Sequence, residues 1–106
     1  MTPTKQRLPL ITPGEILKEE FLLPLGISAN RLAGALGVPT NRVTSILKGM
    51  RAITPDTALR LGRYLGTSPE MWINLQKDYE MRKARREFAA RIEREVQPRG
   101  SAPNAA

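Results

Sequence analysis

Apolar residues recur along this chain three and four positions apart, in short runs that each place them on one side of a helix. Leu32, Ala33 and Leu36 form one such stripe, and Val43, Ile46 and Leu47 a second. Ala58, Leu61, Gly62 and Leu65 form a third, and Trp72, Leu75 and Tyr79 a fourth. The runs are punctuated by Gly26, Gly37, Gly49 and Gly66, each standing where a left-handed residue closes a helix. Start signals follow the stops. Pro13 opens a first helix at its N1 position, Ser28 caps the second, and Thr54-Pro55 and Ser68-Pro69 each read as a cap followed by an N1 proline. Ile27, just before the Ser28 cap, is placed to pack on Leu32 as a hydrophobic staple. The pattern predicts five helices over roughly 13–25, 28–36, 39–48, 55–65 and 69–95. No run alternates with period two for long enough to make a strand, so the expected fold is all-α with short connections.

The second and third helices are joined only by Gly37-Val38-Pro39. A helix-turn-helix needs a small residue where the two helices cross, a glycine free to take a positive φ in the turn, and apolar residues locking one helix on the other. Ala33 supplies the first and Gly37 the second, while Leu32, Leu36, Val38, Val43 and Ile46 supply the lock. The third helix then presents Thr40, Asn41, Arg42, Thr44, Ser45 and Lys48 outward. A major groove about 12 Å wide admits one such helix, with its N-terminal side chains at the base edges. Thr40, Asn41, Thr44 and Ser45 are the base-edge candidates, Asn41 suited to adenine, and Arg42 joins them through guanine or contacts a phosphate. Ser28 at its helix N-terminus, with Lys48 and Arg51 beyond the third helix, is placed for phosphates; Arg31 is either a phosphate contact or a plain surface charge.

Charge sharpens that picture only when divided along the chain. The 106 residues hold 17 Lys+Arg and 10 Asp+Glu, a net charge of +7. Residues 28–51 carry Arg31, Arg42, Lys48 and Arg51 with no acid, for +4. Residues 77–106 carry eight basic and five acidic groups, for +3, and the two remaining segments are neutral. An acid-free stretch containing a helix-turn-helix is what a polyanion-contacting surface looks like.

Two absences narrow the chemistry. With no Cys there is no disulfide framework, zinc ribbon or thiolate nucleophile, and with no His there is no imidazole base and no His-ligated metal. No cofactor or metal is implied, and no convergent set of the remaining polar residues suggests an enzyme. No signal-peptide core and no segment near the ~20 apolar residues of a membrane span is present, which points to a cytoplasmic protein with no membrane partner.

Several longer motifs are more specific than the helix-turn-helix pattern. They are Ile11-Thr-Pro-Gly-Glu-Ile-Leu17, Glu20-Phe-Leu-x-Pro-Leu-Gly-Ile-Ser28, Leu32-Ala-x-x-Leu-Gly-Val38, Gly49-x-Arg51-x-Ile-Thr-Pro-x-Thr-Ala-Leu-Arg-Leu61 and Leu65-Gly-Thr-Ser-Pro-Glu-x-Trp-x-Asn-Leu-Gln76. Over residues 11–80 the chain closely resembles the HigA family of antitoxins, within the phage-repressor-like (XRE) helix-turn-helix group. The resemblance implies a compact five-helix domain and a homodimer that represses its own operon by binding double-stranded DNA at a pseudo-palindromic operator. It also implies neutralisation of a HigB-type toxin, an mRNA-cleaving ribonuclease of RelE-like fold. Two other functions stay open: a stand-alone phage-type regulator, and a toxin inhibitor whose DNA binding is vestigial.

The chain departs from the family pattern twice. Pro39 stands where a Ser or Thr usually caps the recognition helix, so the cap either shifts to Thr40 or is lost. Beyond residue 80 the charged stretch 81–97 keeps helical spacing through Met81, Ala84, Phe88 and Ile92, on a face about 200° around the helix from Tyr79. This extension either projects toward a protein partner or breaks near residue 80 and folds back. Otherwise it is a solvated helix held by pairs such as Glu87 with Arg91, or it adds DNA contacts through Arg82, Lys83, Arg85 and Arg86. Residues 1–10 are expected to be a flexible N-terminal segment and 98–106 a disordered tail. Trp72 reads as core or as the edge of a dimer interface.

Overall fold

The computed structural model describes residues 10–100, so the expectations for residues 1–9 and 101–106 lie outside it. Among the described residues there are five helices and no strand. The first, α1, runs through α-helical Pro13–Ile16, a π-helical stretch Leu17–Leu22 and a last turn Leu23–Leu25. The others are α2 (Ala29–Leu36), α3 (Thr40–Leu47), α4 (Pro55–Leu65) and α5 (Pro69–Glu95).

Thr12 opens α1 with a reciprocal capping box: its hydroxyl accepts the Glu15 N–H at 3.1 Å, and the Glu15 carboxylate accepts the Thr12 N–H at 3.1 Å. The π-helical stretch closes with the Leu23 N–H bonded to the Lys18 carbonyl. This wider register immediately precedes Pro24, whose ring and missing N–H disrupt a regular α-turn. Side-chain oxygens of Ser28, Thr54 and Ser68 each accept the N–H three residues on, as their positions in the sequence predict.

Gly14 decides how close α1 comes to the recognition helix. A side-chain carbon there would collide with the backbone carbonyl of Ile46, so the two helices touch backbone to backbone. The core behind that contact is built from Leu17, Leu22, Leu32, Leu36, Val43, Ile46, Ile53, Leu61 and Trp72, all buried. Trp72 has no exposed surface, so of its two expected places the core is the one it takes. The Phe21 ring centroid lies 5.3 Å from its own, and its indole N–H donates to the Thr67 hydroxyl at 2.7 Å. Ile27 packs against the same cluster.

From Pro69 to Glu95 α5 is one unbroken helix, so the fold-back alternative is not realised. Its first turns bury Trp72 and Gln76. Beyond them Met81, Phe88 and Ile92 are exposed, on the side of the helix opposite Trp72 and Tyr79. The molecule is therefore elongated, 55 × 38 × 21 Å, with a radius of gyration of 18.1 Å where a compact domain of this length has about 13 Å. Arg91 pairs with Glu95 at 3.4 Å rather than with Glu87, and its guanidinium lies 5.6 Å from the Phe88 ring centre.

Candidate nucleic-acid interface

Helices α2 and α3 meet through Gly37, which takes φ 72° as the turn demands. Pro39 is the N-cap of α3 with extended backbone and no side-chain cap bond, so the cap is lost rather than shifted. Thr40 is instead the first helical residue, and its hydroxyl donates to Asn30 on α2 at 2.8 Å. That side-chain bond ties the start of the recognition helix to the helix before it. Asn30 was not among the sequence candidates, because nothing in its local pattern says it faces Thr40.

The outward residues of α3 divide into four groups. Asn41 and Lys48 are exposed, while Thr44 and Ser45 are half-buried, the Thr44 hydroxyl donating to the Asn41 carbonyl at 3.3 Å. Thr40 keeps its methyl and an acceptor lone pair for a ligand but has spent its proton on Asn30. Arg42 stands apart. It lies on the flank of α3, half-buried, and its Nη1 donates to Asp56 at the start of α4 at 2.7 Å. The stretch 28–51 is free of acid along the sequence but not in space.

Asp56 accepts a second bond from Arg60 Nε at 2.9 Å, and Arg60 Nη1 donates to the Leu36 carbonyl at 2.9 Å. Hydrogen bonds from Arg60 and Arg42 hold the Asp56 carboxyl below its ordinary value of 3.8. The three side chains link the end of α2, the flank of α3 and the first turn of α4. Because the groups are partly exposed, the linkage orients more than it stabilises.

The phosphate candidates lie around this helix. Ser28 accepts the Arg31 N–H at 3.1 Å, which leaves its own hydroxyl proton free, and Arg31 is exposed. Lys48 terminates α3 and Arg51 follows in the loop to α4, both exposed. A buried side chain that the sequence reading passed over fixes that loop: Gln76 on α5 accepts the Ile53 N–H at 2.8 Å and donates to Glu80 at 2.9 Å. Its place one turn after Trp72, on the same face, was the available signal. Thr12, Gly14, Met50, Arg51, Tyr79 and Lys83 line one groove, so Lys83 of the extension shares a surface with Arg51. Among the described residues no cluster of potential metal ligands occurs, and no helix is long and apolar enough to cross a membrane.

The helix-turn-helix family pattern matches residues 17–72. The chain is 42% identical over 76 residues to antitoxin HigA-1 of Vibrio cholerae, covering 72% of this chain and 70% of that protein. The chain belongs to the HigA family of helix-turn-helix antitoxins. Two solved HigA-family structures share its fold. An addiction module antidote of the HigA family from Coxiella burnetii is 52% identical with a TM-score of 0.80, over 86% of this chain and 99% of that one. Antitoxin HigA of Pseudomonas aeruginosa, solved with the higBA promoter, is 42% identical with a TM-score of 0.84, over 87% of this chain and 100% of that one. The all-α five-helix fold expected from the sequence is the fold of these HigA antitoxins.

Proposed function

We propose that the chain binds double-stranded DNA through α3, represses its own operon as a homodimer and neutralises a HigB-type mRNA-cleaving toxin in the cytoplasm. The observation that carries the DNA reading is a recognition helix anchored on three sides, by Gly14, by Asn30 and by Asp56, with Asn41 and Lys48 left in solvent. Thr40, Asn41, Arg42, Thr44 and Ser45 serve the base edges, while Ser28, Arg31, Lys48 and Arg51 serve phosphates. Promoter DNA in the Pseudomonas aeruginosa HigA structure supports the same use of this fold.

A dimer is proposed because one recognition helix reads too few bases; two-fold symmetry sets two helices about 34 Å apart on a pseudo-palindromic site. The extension 81–97 is the surface we assign to the second copy. Pairing two such helices antiparallel about Phe88 sets Ala84 opposite Ile92, Arg85 beside the second copy's Glu93 and Glu87 beside the second copy's Arg91.

Footprinting upstream of the protein's own gene tests the DNA reading: a symmetric protected site is expected, and an asymmetric footprint or none would sink it. With about three phosphate contacts per subunit, log K should fall against log salt with a slope near −5. Co-expression with the neighbouring reading frame tests the toxin reading. Co-purification of a small basic ribonuclease supports it, and its absence leaves a stand-alone regulator.

A further inference from the structure

A carboxylate beside a recognition helix opposes the binding of a polyanion, yet Asp56 stands there with its Oδ2 2.7 Å from Nη1 of Arg42. An acid in the first turn of α4 also suits the helix dipole, but that needs no arginine partner, and Asp56 has two. Arg60 in turn is fixed to the Leu36 carbonyl, so the carboxylate is held from behind by a side chain that does not itself belong to α3.

We propose that Asp56 is a positioning residue that sets DNA specificity: it holds the Arg42 guanidinium on the flank of α3, withholds it from phosphates and leaves its Nε and Nη2 donors for a base edge. A free arginine binds any phosphate and raises affinity for every sequence. Guanine reading needs a planar fork in a fixed place, and a fork already held by a carboxylate loses little further freedom on binding. The hydrogen bonds from Arg60 and Arg42 shift the Asp56 carboxyl below its ordinary value, in the direction that favours the ionised form the pairing needs. Asp56 thus trades general affinity for discrimination.

The inference rests on the DNA-binding reading. It is tested with the full chain, a duplex from upstream of its own gene and a scrambled duplex of equal length, titrated across a salt series. Asp56→Asn should bind the scrambled duplex about threefold tighter, and its salt slope should steepen by about 0.9 for each arginine released. The preference for the upstream duplex should fall about fivefold, as expected when a fixed guanine contact is lost. Asp56→Glu should restore both, and adding Arg42→Gln to Asp56→Asn should remove the gained slope. Asp56→Ala, in the same exposed turn, gives an independent second reading.

A lowered Tm with slope and preference unchanged would make the ion pair a structural brace and overturn the proposal. So would a gained slope that persists without Arg42. Wild-type protein that prefers neither duplex fails the DNA-binding reading itself, and the inference falls with it.

Discussion

Asn41 and Lys48 sit seven residues apart on the same exposed face of α3, and they are expected to fail differently. Asn41→Ala removes a bidentate amide, so it should relax preference at one base pair by about 1–3 kcal/mol, measured on a panel of single-base variants of the footprinted site. Lys48→Ala should weaken every duplex alike and reduce the magnitude of the salt slope by about 1 per subunit. Asp56 carries a pH prediction. Its folded-state pKa lies below 3.8, so the ion pairs' contribution is complete above that value and is lost as pH falls through the lowered one. An NMR titration of the carboxyl should show its midpoint below the ordinary Asp range; a midpoint at or above 3.8 would mean that Arg42 and Arg60 are not engaged. For single residues the sequence named side chains of a type suited to DNA, but it could not see that Arg42 meets an acid fourteen positions on. Helical periodicity assigns a face within one helix and says nothing of what the next helix places against it.

Most helix limits were legible because they are set locally, by a cap hydroxyl, an N1 proline or a closing glycine acting within four residues. The loss of the α3 cap at Pro39 is local in the same sense. What holds the elements to one another is not local. Gln76 accepts the Ile53 N–H from twenty-three positions away, and Gly14 is required by a carbonyl at position 46. Gln76→Leu should fill the same volume yet leave the Ile53 N–H buried without an acceptor, costing about 1–3 kcal/mol in a denaturant titration. The loop carrying Arg51 should then show faster amide exchange, with α3 itself unchanged. If stability and exchange both match the wild type, Gln76 does not hold this loop.

For the whole molecule, the long α5 runs from a packed domain, where it buries Trp72 and Gln76, into an extension whose Met81, Phe88 and Ile92 are exposed. The change of face at Met81 was visible in the sequence, since two residues turn a helix by about 200°. Whether the helix broke there was not, because a fold-back and a projection share the same periodicity. Phe88→Asp combined with Ile92→Asp lies outside the core and should leave Tm within a few degrees of wild type. If the proposed homodimer forms through this face, the double change should give a monomer by analytical ultracentrifugation and weaken operator binding; a dimer that survives both changes would place the interface elsewhere.

Along the chain alone, short-range sterics and caps set the helices, their order and the helix-turn-helix, composition excluded Cys and His chemistry, and longer motifs carried the resemblance to the family. The tertiary structure alone decided that Arg42 is bound to Asp56, that Thr40 is bound to Asn30, that Trp72 is core and that α5 continues past the domain. Those facts depend on which surfaces meet when helices pack, and side chains distant in the chain become partners only after the backbone has brought them within bonding distance.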